Sequence, residues 1–216
     1  MRLLKCLAPL LLAISFGQFS FAAEEADPYV GKYDVIQNPL PTQSKDKVEV
    51  LELFWYGCPH CYSFKEILDP WASKFSKDVE LVLFPAVFSP KWAISAKAYY
   101  TIEALDLVGK LHTPLFKAIH EGHRNLTDET ELMKFFAENG VNNEEFKKVF
   151  NSFGVDSKLR RAMETTPKYG VSGVPALVIN GKYRLSSEKT EGYENMLKIA
   201  DYLIEKERKA MAAAAK

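Results

Sequence analysis

Apolar and polar positions divide the chain into short continuous apolar runs and longer stretches with helical spacing. Residues 48–56 (VEVLELFWY) form a nearly continuous apolar run rich in β-branched residues, which is typical of a central strand buried on both faces. From Pro59 onward the apolar residues recur at helical spacing, and proline is well suited to the first turn of a helix. A second apolar run covers residues 79–88. This order predicts a βαβ unit with parallel strands and a right-handed crossover.

Residues 89–166 carry no strand pattern and predict a block of amphipathic helices instead. The first two are expected at 92–107 and 110–120, where apolar positions follow a helical period. Three further helices are predicted from capping residues: one capped by Thr127 or Asp128, one capped by Asn143, and one beginning at Asp156.

Strand character returns late in the chain. Residues 175–180 (PALVIN) predict a strand, and Asn180-Gly181 is a strong signal for a type I′ hairpin into a short strand at 182–185. A last helix is predicted from Gly192 to about Arg208, followed by a flexible tail at 209–216. The order β-α-β, helical block, β-β-α describes an α/β fold with an inserted all-helical domain.

The N-terminus predicts a secretory signal peptide, residues 1–22. Arg2 and Lys5 precede a short apolar stretch, and Ser20-Phe21-Ala22 is a small-x-small cleavage site. The alternative is a retained membrane anchor, but a span requires about 20 uninterrupted apolar residues, and this stretch is shorter. We therefore expect an exported chain with no stable membrane insertion.

Composition and charge narrow the class of protein. The chain has 216 residues, 47% of them hydrophobic and 12% aromatic, as expected for a globular protein with one domain or one domain carrying an insertion. Loss of residues 1–22 leaves a net charge of about −2, without the basic excess typical of nucleic-acid binding. Cys6 leaves with the signal peptide, so the mature chain retains only Cys58 and Cys61.

Several kinds of site contain two cysteines with two residues between them. A structural zinc site needs four ligands, and a site completed by histidines from elsewhere in the fold remains an alternative. A structural disulfide would close a very small loop, for which little stabilisation is expected. Two inert thiols suit the interior of a strand, whereas Cys58 and Cys61 fall where a strand gives way to a helix.

That position favours redox chemistry. Cys58 immediately precedes Pro59 at a helix N-terminus, where unpaired N–H groups and the helix dipole lower a thiol pKa. His60 adds a potential positive charge, and Cys61 can attack a mixed disulfide at Cys58. A stabilised Cys58 thiolate stabilises the reduced protein, which makes the disulfide form an oxidant. A metal-binding or peptide-holding module is the alternative, and it predicts binding without turnover.

Four features together resemble the DsbA family of periplasmic thiol:disulfide interchange proteins. They are CPHC at the start of the first helix of a βαβ unit, GVPALVINGKYRL late in the chain, a helical block between them, and a signal peptide. The resemblance covers nearly the whole mature chain. DsbA proteins are themselves the standard example of a strongly oxidising CxxC pair, so the predicted oxidant is not independent of the resemblance.

The resemblance implies a thioredoxin-like fold in which residues 23–88 and 167–208 form the thioredoxin-like domain and 89–166 the inserted helical domain. It implies a periplasmic dithiol oxidase that donates its Cys58–Cys61 disulfide to newly exported reduced proteins through a mixed disulfide. A DsbB-type, quinone-linked partner in the inner membrane would restore the disulfide, with no metal or organic cofactor. We expect a monomer. An isomerase or reductase shares the chemistry, but family isomerases usually add a dimerisation domain, and there is no room for one before Val48.

Further site residues follow from the resemblance. Val174 and Pro175 match the cis-proline loop that packs against the active-site disulfide and pairs with the substrate backbone, although sequence alone also permits a trans proline at a strand edge. Glu52 matches the buried acidic residue beneath the active site, which implies proton exchange with Cys61; a solvent-facing carboxylate is the alternative. Glu49, on the opposite face, is expected to be exposed.

Aromatic residues surround the motif. Core packing explains most of them, and Trp55 and Tyr62 are the expected surface contributors to a groove for unfolded substrates. His120 and His123 are expected to be solvated surface groups.

Overall fold

The structure, a computed structural model, describes residues 26–214. The predicted signal peptide, with Cys6, lies outside the described residues. Across residues 26–214, none of the helices has the length and apolar character needed to cross a bilayer.

A five-stranded mixed sheet forms the centre of the molecule, in the order β1-β5-β4-β2-β3. Strands β2 and β3 are parallel, as predicted from the βαβ pattern, and the other neighbouring pairs are antiparallel. Every residue of β2 is buried, because this strand lies between two others and both faces of the sheet are covered. The strands are β1 (Asp34–Val35), β2 (Val48–Phe54), β3 (Val79–Pro85), β4 (Ala176–Ile179) and β5 (Tyr183–Ser186).

Helix α1 (Pro59–Ala72) connects the two parallel strands and begins at Pro59, as predicted. Pro70 lies in its last turn, and the helix ends two residues later. The buried side chains of α1 include Phe64 and Leu68, which belong to the apolar cluster that α1 and the last helix form on one face of the sheet.

The helical block follows β3 and packs largely through aromatic side chains. It confirms the five predicted helices, with Asp128 capping the third. Four starts differ by one to three residues. The first and second helices each begin two residues before their predicted starts, at Pro90 and Val108. Asn142, not Asn143, caps the fourth, and the fifth begins three residues before Asp156 because the Ser152 side chain caps it. The helices are α2 (Pro90–Ala104), α3 (Val108–His120), α4 (Glu129–Glu138), α5 (Asn143–Phe150) and α6 (Phe153–Thr165), followed by a 3₁₀ turn (Thr166–Tyr169).

The C-terminal part contains the predicted hairpin between β4 and β5. Asn180 and Gly181 both have positive φ, 50° and 65°, as a type I′ turn requires. A short helix α7 (Ser187–Thr190) follows, which the sequence pattern did not predict, and then α8 (Tyr193–Ala214).

The predicted flexible tail at 209–216 is corrected by α8, which continues to Ala214. Two physical causes extend the helix. Alanine has the highest helix propensity of all residues, and Met211 packs against the apolar cluster between α8 and the sheet.

The exposure expected for Glu49 is also wrong. Its side chain is 2% exposed, because β2 is covered on both faces and alternation places Glu49 in one of the two interior layers. The backbone N–H of Gln43, from the irregular N-terminal arm, donates to Oε2 of Glu49 over 2.7 Å. The arm thus supplies a partner that the local pattern of β2 did not reveal.

Candidate active site

The two thiols lie at the junction of β2 and α1. Cys58 is the N-cap residue of α1, and its Sγ accepts the backbone N–H of Cys61 at 3.4 Å. Both cysteines are free thiols in this structure. Cys58 is 8% exposed and Cys61 is fully buried, while Pro59 and His60 are exposed beside them. Only Cys58 therefore offers its sulfur to an incoming chain.

The two thiols differ strongly in proton affinity. The Cys61 side chain donates a hydrogen bond to the Cys58 sulfur and, with the backbone N–H groups of Cys61 and His60 and the His60 charge, lowers the pKa of Cys58 to about 6. Burial, together with the neighbouring Cys58 and Glu52, raises the pKa of Cys61 far above its ordinary value. At neutral pH, Cys58 is therefore the thiolate and Cys61 the thiol.

The loop before β4 reaches the same sulfur. The Val174–Pro175 peptide bond is cis, as expected. Sγ of Cys58 lies 3.5 Å from the carbonyl oxygen of Val174, to which the protonated thiol donates, although the residues are 116 positions apart. The backbone of this loop is thus next to the reacting atom.

Glu52 lies inside the protein beneath α1. It pairs in register with Leu83 on β3 and Leu177 on β4, and it is 4% exposed. Burial raises the pKa of Glu52 to about 8; the Lys65 charge acts in the opposite direction, and the Asp69 charge adds to the rise. Its burial excludes the solvent-facing alternative, and its charge adds to the rise in the pKa of Cys61.

Two histidines of α3, His112 and His120, contact Tyr56, two residues before Cys58. The sequence interpretation missed these contacts. The hydroxyl of Tyr56 and Nδ1 of His112 are 2.8 Å apart, and both residues are buried. Burial lowers the pKa of His112 to about 3, so this imidazole is neutral. His112 lies four residues before Phe116 on the apolar face of α3, and this spacing is the signal that marks it as a core residue.

His120, expected to be a solvated group, is partly buried and corrects that interpretation. Its Nε2 lies 2.8 Å from the carbonyl oxygen of Tyr56, and its ring stacks on Tyr62 with 5.1 Å between the centroids. The Tyr62 hydroxyl donates to Glu121 at the end of α3. His123, in contrast, is exposed as expected.

An aromatic surface lies beside the motif. The Trp55 indole stacks on Trp92 at a centroid distance of 4.4 Å, and Phe88 packs edge-on against Trp92 and is exposed. Trp55 and Tyr62 are both partly exposed, whereas Phe54 and Tyr56 are buried. This division agrees with the expected surface and core roles of these rings.

Within residues 26–214, no three His, Cys, Asp or Glu side chains lie close enough together to hold a metal ion. Two neighbouring thiols of such unequal proton affinity, facing a cis-proline loop on a sheet of this order, define instead a thioredoxin-fold thiol:disulfide oxidoreductase.

Comparison with known proteins gives the family. The DSBA-like thioredoxin domain family matches residues 49–203, and the chain belongs to this family. It is 40% identical to the thiol:disulfide interchange protein DsbA of Pseudomonas aeruginosa over 212 residues, which cover 97% of this chain and 99% of that protein. The DsbA of Pseudomonas syringae pv. tomato is also 40% identical, over 99% of this chain and its own full length.

Solved structures agree. The crystal structure of Pseudomonas aeruginosa DsbA superposes with a TM-score of 0.80 and 41% identity, covering 87% of this chain and 96% of that one. The thioredoxin-like fold with its helical insertion, the class of enzyme and the disulfide-oxidase function that the family resemblance implied are confirmed.

Proposed function

We propose that the chain acts in the periplasm and donates its Cys58–Cys61 disulfide to newly exported, reduced proteins through a mixed disulfide. The observation that carries this proposal is the unequal proton affinity of the two sulfurs. Cys58 is the more exposed sulfur and the better leaving thiolate, so the mixed disulfide forms at Cys58 and is readily displaced from it.

The first step is an attack of a substrate thiolate on Sγ of Cys58. The Cys58–Cys61 bond breaks, and its electron pair passes to the Cys61 sulfur. Because burial disfavours a charge there, we assign Glu52 as the group that protonates Cys61, since its raised pKa keeps it protonated at neutral pH. The products are a Cys58–substrate disulfide, a Cys61 thiol and a Glu52 carboxylate.

The second step releases the substrate. A second substrate thiolate attacks the substrate sulfur of the mixed disulfide, so the substrate gains its disulfide and Cys58 leaves as a thiolate. The substrate has then lost two electrons and the enzyme has gained them. Glu52 regains a proton from solvent, and the two sulfurs need no metal or organic cofactor to carry the electron pair.

The remaining site residues have supporting roles in this proposal. The backbone of Val174 and Pro175 pairs with the substrate chain next to Cys58, as its position 3.5 Å from the sulfur allows. Pro59 starts the helix whose N–H groups face the thiolate, and His60 adds a charge that favours it.

A DsbB-type, quinone-linked oxidase of the inner membrane is the proposed partner that restores the disulfide. The proposal also includes removal of residues 1–22 on export and a monomeric enzyme. Mass analysis of the mature protein and size-exclusion chromatography test these two points, and reoxidation by quinone-supplied inner-membrane vesicles tests the partner.

Trapping experiments test the route. Oxidised enzyme is mixed, without oxygen, with a reduced peptide that contains two cysteines, and one peptide disulfide should form for each enzyme reduced. Cys61→Ser enzyme, activated at Cys58 as a mixed disulfide with glutathione, should exchange glutathione for a peptide that contains one cysteine. Peptide captured by similarly activated Cys58→Ser enzyme at an equal rate would contradict the assignment of Cys58.

The same experiment separates the alternatives. A peptide-holding module would bind the peptide without oxidising it. An isomerase would rearrange a scrambled substrate faster than it oxidises a reduced one, whereas the proposed oxidase should do the reverse.

A further inference from the structure

A line of three residues connects the buried sulfur to solvent along α1. Cys61, Lys65 and Asp69 follow one another at intervals of four residues, which places them on one side of the helix. Their exposure rises in that order: Cys61 is fully buried, and the side chains of Lys65 and Asp69 are 14% and 51% exposed. Nζ of Lys65 donates to Oδ2 of Asp69 at 2.6 Å.

This ion pair differs from an ordinary surface pair. Lysine is almost never deeply buried, because removal of its ammonium from water is unfavourable unless a partner compensates. Lys134, which pairs with Glu131 on α4, shows the usual arrangement with a side chain 57% exposed. Lys65 is instead largely buried at 14% exposure, and the more exposed Asp69 accepts a hydrogen bond from its ammonium.

Glu52 lies on the interior side of this pair. It is buried on β2 beneath α1, and burial is the main cause of its raised pKa; the charges of Lys65 and Asp69 act on it in addition. Lys65 favours its carboxylate form, and Asp69 disfavours it.

Other titratable groups close to Glu52 are uncharged at neutral pH. They are Cys61 on α1, Tyr56 before Cys58 and Tyr99 on α2; burial raises the pKa of each. His112 on α3, which is close to Lys65, is kept neutral by burial. Lys65 and Asp69 are therefore the charged side chains that act on Glu52.

We propose that Lys65 is a positioning residue for the reaction: its ammonium, held by Asp69, sets how readily Glu52 gives its proton to the Cys61 sulfur. As the Cys58–Cys61 bond breaks, the proton moves from the Glu52 carboxyl to the Cys61 thiolate, and the new carboxylate is stabilised by the Lys65 ammonium. The one other bond change in this step is the new bond between the attacking substrate sulfur and Sγ of Cys58. The inference rests on the proposed role of Glu52.

The first experiment measures Glu52 directly. The reduced enzyme is labelled with ¹³C at glutamate carboxyl groups, and the Glu52 signal is assigned by its loss in Glu52→Gln and titrated by NMR. Lys65→Gln should raise the Glu52 midpoint by about one pH unit, because it removes a positive charge that stabilises the carboxylate. Asp69→Asn should lower the midpoint, because it removes a negative charge that destabilises the carboxylate. Lys134→Gln should leave it unchanged.

The second experiment measures the chemistry. The rate at which oxidised enzyme reacts with a peptide thiolate, corrected for the ionised fraction of the peptide, should fall as pH passes the Glu52 midpoint. Lys65→Gln should shift this inflection upward by the amount seen in the NMR titration, and Lys65→Arg should restore it.

The outcomes separate two failures. If Glu52→Gln keeps the wild-type pH profile, the proposed role of Glu52 is wrong and the inference falls with it. If Glu52→Gln removes the inflection but Lys65→Gln and Asp69→Asn leave the Glu52 midpoint unchanged, or move it in the same direction, the inference about Lys65 alone is overturned. Asp69 is half exposed, so Asp69→Asn decides the point even where Lys65→Gln does not fold.

Discussion

The Cys61 side chain and backbone both donate to the sulfur of Cys58, and the backbone N–H reaches it at 3.4 Å. Cys61 is therefore the main cause of the acidity of Cys58, ahead of the histidine between them. This order of causes distinguishes the site from one activated chiefly by His60.

Replacement of Cys61 should raise the pKa of Cys58. We expect a Cys58 midpoint at about pH 6 in the reduced enzyme. Cys61→Ala should raise it more than His60→Ala does, because it removes the largest stabilising contact of the thiolate. Absorbance near 240 nm measures the thiolate, and Cys58→Ser supplies the blank.

An equal or larger effect of His60→Ala would show instead that the histidine charge dominates. A midpoint near the ordinary thiol value in the unsubstituted enzyme would show that the helix terminus does not activate Cys58.

Neutralising Glu52 should stabilise the reduced enzyme at neutral pH. Burial raises the Glu52 pKa from an ordinary 4.5 to about 8, so between these values the folded protein holds a proton that the unfolded chain has lost. Stability therefore falls as pH rises from 4.5 to 8. At about 1.4 kcal/mol per pKa unit, Glu52→Gln should raise the free energy of unfolding at pH 7 by on the order of 3 kcal/mol.

Guanidinium unfolding at pH 4.5 and pH 7 measures this effect. The variant and the unsubstituted enzyme should be close in stability at pH 4.5 and diverge at pH 7. Glu66→Gln, at an exposed position of α1, is the control. A Glu52→Gln variant that is less stable at pH 7 than the unsubstituted enzyme would contradict a buried, protonated Glu52.

A methyl group at Gly57 should disturb the aromatic surface beside the active site. A Cβ there would overlap the Trp55 ring, which stacks on Trp92. We expect Gly57→Ala to lower the free energy of unfolding by about 1–3 kcal/mol, the usual cost of overpacking, and to change the tryptophan fluorescence.

Gly109→Ala is the matched control, since a Cβ at Gly109 in α3 meets no atom within 4 Å. It should stabilise the protein by up to about 1 kcal/mol, because alanine is the better helix former. A Gly57→Ala variant with unchanged fluorescence and stability would mean that the indole does not occupy this position.

The Tyr56 hydroxyl should matter for stability through His112. Tyr56→Phe keeps the ring but leaves Nδ1 of His112 buried without its partner, which costs about 1–3 kcal/mol. Tyr62→Phe removes a hydroxyl whose bond to Glu121 is exposed, and it should change stability much less than Tyr56→Phe does. Denaturant unfolding of both variants gives the comparison, and equal losses would show that the buried contact has no special weight.

Local spacing predicted most of the elements of the fold. Neighbouring residues determine strand β2, the start of α1 at Pro59 and the Asn180-Gly181 turn. The amino-acid sequence is therefore enough to predict these three features. Boundaries were less accurate where packing extends or shortens an element. Met211 on the core carries α8 beyond the predicted end. Glu49 is buried, against expectation, because both faces of β2 are covered, and the Gln43 N–H from the N-terminal arm partners its carboxylate there.

The sequence alone predicted the redox pair and its place at a helix start, and it carried the family resemblance. It could do so because the spacing of Cys58 and Cys61 and the helix dipole are local properties. The family resemblance also implied Val174 beside the Cys58 sulfur, and the structure confirms that position. Only the tertiary structure established Lys65 near Glu52 and His112 on Tyr56. These partners lie between 13 and 116 positions apart. Their meeting depends on how sheet and helices pack, and packing is also what sets the burial that shifts each pKa.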